Sequence, residues 1–288
     1  MKNIILMLDS SGTAGWTKAE SEAKGLLWVP FVLTIDGVDK KPGLDITTQE
    51  LYDYLAKNTQ AKITTSQVSP ADLTDTFREG LKRAKHVLYI PISQGLSSTM
   101  STAIAIARQD EFKGKVTVYQ SNFITPWLKS IWNQIIDLVD NSEDVKTVTD
   151  FLDISNDKMY GWIAPKDLDR LYASGRIKKV QYIMGKLMKV YPIVPVINGS
   201  VNDTGTVKAR GVEAATKKVA ELVDAKQKEI EAEGYETVVW YVDDFNLGLK
   251  EAIEATGIKP LKMNVGAEII AHLGAGSWGS GVQIIKKK

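Results

Sequence analysis

Short apolar runs alternate with longer amphipathic segments along the first half of the chain. Residues 3–8 are apolar and stop at Asp9, which is typical of a buried parallel strand that leads into a loop. Residues 27–35, 86–92 and 116–119 predict three further strands. Because neighbouring parallel strands need crossover connections, the alternation predicts a mostly parallel sheet with helices on both faces. Ligands of such sheets collect at the carboxyl ends of the strands.

Capping signals mark where several of the helices begin. Thr47 and Glu50 have the spacing of a capping box, in which each residue satisfies a free backbone N–H group of the other. Ser69 followed by Pro70 is a favourable N-cap and first-turn pair. Further helices are predicted at residues 98–108, at 127–139 and from 143 to about 152.

The second half mixes strands and helices in a less regular order. Strands are predicted at residues 159–164, 191–197, 237–242 and 261–265, and helices at 166–174 and 212–231. A polar patch at residues 155–158 separates the two halves. We therefore predict two α/β domains, an N-terminal one at 1–155 with a mostly parallel sheet and a C-terminal one at 156–288 with a mixed sheet.

Composition narrows the class of partner and the compartment. The 288 residues carry 36 basic and 35 acidic side chains, so electrostatics favour neither a nucleic acid nor an anionic membrane surface. The absence of cysteine excludes disulfides and thiolate chemistry. The first apolar run is too short for a signal peptide, and no later run reaches the length of a membrane span. We expect a cytoplasmic protein that is not integral to a membrane.

Four polar islands lie at predicted strand or helix ends. They are residues 64–67, 93–99, 174–177 and 271–276. Backbone N–H groups at helix N-termini, together with clustered hydroxyls, suit a carboxylate or a phosphate. Serine and threonine also cap helices, and a lone His272 is often structural, so both interpretations stay open. The few histidines and scattered carboxylates give no spacing typical of a metal site.

An alternative from another class is a serine hydrolase. Ser97 lies in a near match to the Gly-x-Ser-x-Gly motif, and Asp243 and His272 follow in the order of α/β-hydrolases. Against this, the final glycine is missing, and Ser97 lies several residues beyond the predicted strand rather than on a tight turn. No His-Gly-Gly-Gly segment precedes it to form an oxyanion hole.

Six short motifs run through nearly the whole chain. They are Asp9-Ser10-Ser11, Thr65-Ser66-Gln67-Val68-Ser69, Ile92-Ser93-Gln94-Gly95-Leu96-Ser97-Ser98-Thr99, Leu171-Tyr172-Ala173-Ser174-Gly175-Arg176-Ile177, Lys208-Ala209-Arg210 and His272-Leu273-Gly274-Ala275-Gly276. In this order and spacing the chain resembles the DegV family, whose fatty-acid-binding members serve a fatty acid kinase. The combination of motifs is much more specific than any one of them.

The resemblance implies a carrier of a long-chain fatty acid that is not itself an enzyme and needs no cofactor. The carboxyl group would be held at the domain junction, with the tail in an apolar tunnel. The residues implied at the carboxyl group are Thr65, Ser66, Ser97 and His272. A dihydroxyacetone-kinase-like fatty acid kinase would be the partner, followed by an acyl-phosphate acyltransferase. Arg176 and Arg210 resemble basic residues near the site and would contact the head group or the kinase.

Some positions depart from the family pattern. Ser98 stands where the family has glycine, and Val68 stands where it has proline. The segment at residues 124–138 lacks the family's glycines and carries Trp127 and Trp132 instead. These differences leave the length of the tunnel open, and with it a DegV-like binder of another lipid.

Overall fold

The computed structural model describes residues 2–13, 15–58, 60–175, 191–202 and 205–287. The elements up to residue 156 are β1 (Lys2–Asp9), α1 (Lys18–Ala23), β2 (Leu27–Val29), β3 (Val32–Ile35), β4 (Val38–Lys40), α2 (Thr48–Lys57), β5 (Ile63–Ser66), α3 (Pro70–Arg83), β6 (Ala84–Ile90), α4 (Thr99–Ala107), β7 (Val116–Val118), α5 (Thr125–Ser130), α6 (Trp132–Asn141) and α7 (Val145–Asn156). The later elements are β8 (Met159–Ala164), α8 (Leu168–Ala173), β9 (Tyr191–Ile197), β10 (Ser200–Val201), β11 (Val207–Ala209), α9 (Val212–Ala232), β12 (Tyr235–Val242), α10 (Leu249–Glu254), β13 (Leu261–Lys262), α11 (Ala267–Leu273) and β14 (Trp278–Lys287).

The strands form three sheets. The first is all parallel, in the order β2-β1-β6-β7, with Leu8 beside Ile90 in register. The second has the order β10-β9-β8-β14-β12-β13, with β11 also on β9, and only the β12–β13 pair is parallel. A small antiparallel sheet, β4-β3-β5, completes the described strands. The predicted α/β class, with a parallel sheet and a mixed sheet, is confirmed.

The strand predicted at residues 27–35 is in fact two strands in different sheets. β2 ends at Val29, and Pro30 follows, which has no N–H group for a ladder hydrogen bond. The next N–H group, that of Phe31, donates to Ser10 Oγ at 3.0 Å. The chain therefore leaves the parallel sheet at Pro30 and enters the small antiparallel sheet as β3, which pairs with β5.

The helix predicted at residues 127–139 is also divided. α5 begins at Thr125, with Pro126 in its first turn, and the backbone leaves helical geometry at Ile131 before α6 begins. The predicted capping signals are confirmed. Thr47 and Glu50 form a reciprocal capping box on α2, and Ser69 accepts a hydrogen bond from the N–H of Asp72 at the start of α3.

One apolar core joins the parallel sheet to the mixed sheet. It includes Ile4 and Leu88 from the first sheet, Ile135 from α6, and Met159 and Trp240 from the second sheet. Helix α6 contacts β1, while α5 contacts β12 and β14 and α7 contacts β14. The helices α5–α7 thus form a layer between the two sheets. The domain boundary between residues 155 and 156 stays a prediction; it falls within the last turn of α7.

Helices α3 and α4 cover the other face of the parallel sheet. Phe77 of α3 and Ala103 of α4 pack with Val87 and Tyr89 of β6. The spacing of Leu73, Phe77 and Leu81 predicts one buried helix face; Leu73 and Phe77 are fully buried, and Leu81 is half-buried. Across the described ranges of the chain, no helix combines the length and the apolar character that a bilayer crossing needs.

Candidate functional site

A cavity of about 480 Å³ lies between the parallel sheet, the small antiparallel sheet and the mixed sheet. Its volume falls within the ~300–1,000 Å³ that is typical of small-molecule sites. Most of its walls are apolar and come from Ile92, Ile124, Ile163, Val196 and Ile269. Hydroxyl, amide and imidazole groups from β5, the β6–α4 loop and α11 also line it. The shape and chemistry suit a ligand with a long apolar part and a polar group.

Thr65 and His272 meet at the polar part of this cavity. Thr65 lies on β5 opposite Leu33, and His272 lies in the last turn of α11, which packs against β5. Thr65 Oγ1 and His272 Nε2 are 2.9 Å apart and share a hydrogen bond. Both side chains are half-buried. Two residues that are 207 positions apart in the chain are thereby joined at one wall.

Ser97 reaches the same cavity from the loop between β6 and α4. Its N–H donates to the carbonyl of Ser93 at 3.3 Å, and its Oγ lies 2.9 Å from Thr99 Oγ1. The N–H of Thr99 donates to Ser97 Oγ at 3.2 Å. Ser66, at the end of β5, also lines the cavity and is exposed. The four residues expected at the carboxyl group, Thr65, Ser66, Ser97 and His272, therefore border one space.

Of the two arginines expected near the site, the structure describes one. Arg176 lies outside the described residues. Arg210 follows β11, is exposed and is not part of the cavity wall. Their suggested contact with a head group or a kinase stays a prediction.

Glu268 of α11 lines the cavity and escaped the sequence analysis. Its side chain is 4% exposed, and Oε1 accepts a hydrogen bond from Ser10 Oγ. Within the described part of the chain, Oε2 has no hydrogen-bond partner. Burial, with a smaller contribution from the charge of Asp9, raises the pKa of Glu268 to about 7. The signal that could have identified it is a single glutamate within an apolar stretch, since Ala267, Ile270 and Ala271 are all buried.

Asp9 holds the loops at the carboxyl ends of β1 and β6. Its carboxylate accepts hydrogen bonds from the N–H groups of Ile92 at 2.8 Å and Gly12 at 3.1 Å, and from Tyr89 OH at 3.3 Å. Desolvation nevertheless raises the pKa of Asp9, because the group is completely buried. Asp9 therefore fixes the backbone next to the cavity and does not line it.

The side chains of the alternative hydrolase are engaged in other contacts. Ser97 pairs with Thr99, and His272 Nε2 pairs with Thr65. Asp243 accepts hydrogen bonds from the N–H groups of Leu247 at 2.9 Å and Leu249 at 3.2 Å. Its carboxylate thus holds the turn before α10. Metal chemistry has no candidate ligand set in the ranges that the structure describes, since no three His, Asp or Glu side chains come together there.

The fold and the cavity define an α/β protein with a largely apolar interior cavity and a polar wall. A model of the family described as "Uncharacterised protein, DegV family" matches residues 3–286. The chain belongs to the DegV family. The resemblance inferred from the six motifs is therefore confirmed.

Related proteins extend over the full chain. A DegV domain-containing protein of Staphylococcus aureus is 25% identical over 290 residues, covering 100% of both chains. The solved structure of a fatty-acid-binding DegV family protein from Thermus thermophilus is 26% identical, covers 99% of this chain and 100% of that one, and gives a TM-score of 0.81. A stearic-acid-binding protein from Eubacterium ventriosum, at 20% identity, covers 99% of both chains with a TM-score of 0.83 and shares the fold.

Proposed function

We propose that this protein binds one long-chain fatty acid, with its carboxyl group at Thr65, Ser66, Ser97 and His272. The observation that supports the proposal is a largely apolar cavity with these four polar side chains gathered on its wall. The fatty-acid-binding activity of the Thermus thermophilus relative supports the same ligand class. The carboxyl group occupies the polar wall, and the tail occupies the apolar remainder.

The tail supplies most of the binding free energy. About fourteen methylenes at ~0.8 kcal/mol each give a gross gain of ~11 kcal/mol before the costs of association and ordering. Each hydrogen bond to the carboxyl group replaces one to water and adds little net affinity. The hydroxyls and His272 instead fix the position of the carboxyl oxygens.

A fixed carboxyl group gives the protein a role as a substrate-presenting subunit. A dihydroxyacetone-kinase-like fatty acid kinase brings ATP and magnesium to the carboxyl group, and an acyltransferase consumes the acyl phosphate. The chain itself catalyses no step, and Arg176 and Arg210 contact the phosphorylated head group or the kinase. Positioning of the reacting oxygen is the contribution of this protein to phosphoryl transfer.

Ser97→Ala and His272→Ala test this division of labour. Each variant is loaded with fatty acid and supplied with a purified fatty acid kinase of this class, ATP and magnesium. We expect acyl-phosphate formation to fall at least ~10-fold, because the carboxyl oxygen is no longer held in one place. Fatty acid retention should change by less than ~3-fold, since the tail provides the affinity.

Two further variants serve as controls for that experiment. Ser142→Ala and His86→Ala remove the same groups outside the cavity wall and should leave both quantities unchanged. Equal loss of phosphorylation and retention in Ser97→Ala would contradict the presenting role. Hydrolysis of a generic ester by the wild type, lost in Ser97→Ala, would favour the hydrolase instead.

A further inference from the structure

The floor of the cavity is one face of the mixed sheet, and its side chains lie in rows across three strands. Ile163 of β8 and Val242 of β12 both pair with Gly279 of β14. Residues paired directly across antiparallel strands point to the same face. All three residues line the cavity. This first row therefore forms part of the floor of the cavity.

The second row lies two residues further along each strand, on the same face. Here Gly161 of β8 and Trp240 of β12 both pair with Gly281 of β14. Two of the three positions have no side chain, so the space above them would extend the groove that lies over the first row. Two indole rings fill this space, those of Trp240 and of Trp127 from α5.

The packing of the indoles against the glycines is close. A Cβ atom added at Gly161 would lie 2.7 Å from Cζ2 of Trp127, and one added at Gly281 would lie 2.5 Å from Cζ2 of Trp240. The two rings meet edge to face, with centroids 4.7 Å apart. Both tryptophans also line the cavity, while the two glycines beneath them do not. The rings thus stand at the boundary between the cavity and the second row.

Hydrogen bonding by the indole N–H groups does not explain why tryptophan occupies positions 127 and 240. Both are buried and have no hydrogen-bond partner in the described residues, although buried indoles usually find one. The rings are therefore held by shape and packing, and what they contribute is filled volume. Filled volume at the end of a groove limits how far a ligand can extend.

We propose that Trp127 and Trp240 form the closed end of the cavity and set the maximum length of the acyl chain. This inference rests on the proposed function, because it assumes that a fatty acid tail runs along the first row. A shorter residue at position 127 opens the second row, which adds about 6.6 Å along the strands. Several additional methylenes fit into that distance.

Trp127→Leu tests the inference without placing a polar group in the core. Delipidated wild-type and variant proteins are titrated with saturated fatty acids from dodecanoic to icosanoic acid. Each additional buried methylene is worth about fourfold in affinity. We expect the preferred acid to become longer by at least about two carbons, and the preference for octadecanoic over tetradecanoic acid to rise by more than ~10-fold.

Trp132→Leu is the matched control. Trp132 begins α6, packs edge to face on Trp16 with centroids 5.5 Å apart, and does not line the cavity. Its replacement should leave the preferred acid unchanged. If Trp127→Leu fails to fold, Trp127→Phe makes a smaller change, and we expect a shift in the same direction.

The outcomes separate the two proposals. If the wild type binds fatty acids and both position-127 variants keep its length preference, the tryptophan pair does not set the limit, although the carrier function stands. If the wild type binds none of these acids, the proposed function itself is wrong. A shift toward longer acids in Trp127→Leu alone, with Trp132→Leu unchanged, supports the inference.

Discussion

Two buried carboxyl groups, Asp9 and Glu268, lie beside the loop that follows β1. Asp9 is satisfied by backbone N–H groups, but Glu268 has only Ser10 as a side-chain donor among the described residues. Burial raises the pKa of both. A buried carboxyl group with a pKa near neutrality makes stability depend on pH in a defined direction.

Glu268→Gln tests that dependence. Between its ordinary pKa of 4.5 and about 7, folded Glu268 holds a proton that the unfolded chain has released. Its contribution to stability is therefore lost as pH rises through this window. We expect Glu268→Gln to flatten the fall in unfolding free energy between pH 5 and pH 8, and to be more stable than wild type at pH 8 by up to about 3 kcal/mol.

Urea unfolding at several pH values measures this effect. The slope should not vanish, because the pKa of Asp9 is raised as well and contributes in the same direction. Glu143→Gln, at an exposed position, should follow the wild-type curve. A Glu268→Gln curve parallel to wild type would show that Glu268 does not titrate in this range.

For single residues, the sequence allowed a prediction wherever the role of the residue depends on its neighbours in the chain. The hydroxyl islands around Thr65 and Ser97 and the cap at Ser69 could be predicted, because capping and loop chemistry depend on neighbours in the chain. Glu268 could not, because its burial results from α11 packing near the distant Ser10. The hydrogen bond between Thr65 and His272 likewise depends on tertiary structure.

At the scale of elements, most helices and the parallel strands could be predicted from periodicity, but the short helices α1 and α11, strand β14 and two boundaries could not. The strand at residues 27–35 divides at Pro30, and the helix at 127–139 divides at Ile131. Both breaks serve changes of direction that periodicity does not record. The small antiparallel sheet of β3, β4 and β5, which carries Thr65, was missed for the same reason.

Strand β14 packs so closely against its neighbours at Gly281 that the position has no room for a side chain. Gly281 lies in the sheet where an added Cβ atom would be 2.5 Å from Trp240 Cζ2 and 2.6 Å from the carbonyl oxygen of Tyr160. Gly281→Ala should therefore lower the unfolding free energy by about 1–3 kcal/mol, since a backbone atom cannot move aside easily. Denaturant titration checks this.

Gly12→Ala is the control for that substitution. A Cβ atom at Gly12 would meet nothing closer than 3.4 Å, which is an ordinary contact distance. We expect its effect on the unfolding free energy to be clearly smaller than that of Gly281→Ala. Equal effects would mean that the close packing under Trp240 does not restrict the strand.

For the whole molecule, the alternation of strands and helices predicted the α/β class, while the way the sheets meet was beyond the sequence. Helices α5–α7 join the parallel and mixed sheets in one core, which pairs residues far apart in the chain. The cavity exists because of that arrangement, since its walls come from the small antiparallel sheet, the mixed sheet and the segments that follow β2 and β6 of the parallel sheet. Local patterns therefore identified the polar wall but not the apolar space behind it.

Mass spectrometry of the folded, purified protein tests the central claim most directly, by comparing the mass of the chain before and after extraction with organic solvent. We predict a mass excess equal to one long-chain fatty acid in the wild type. Ile163→Glu places a charge in the apolar floor and should abolish the excess, while Ile154→Glu, at a position 41% exposed on α7, should keep it. A wild-type protein that carries no fatty acid and takes none up, or an Ile163→Glu variant that retains one, would contradict the account.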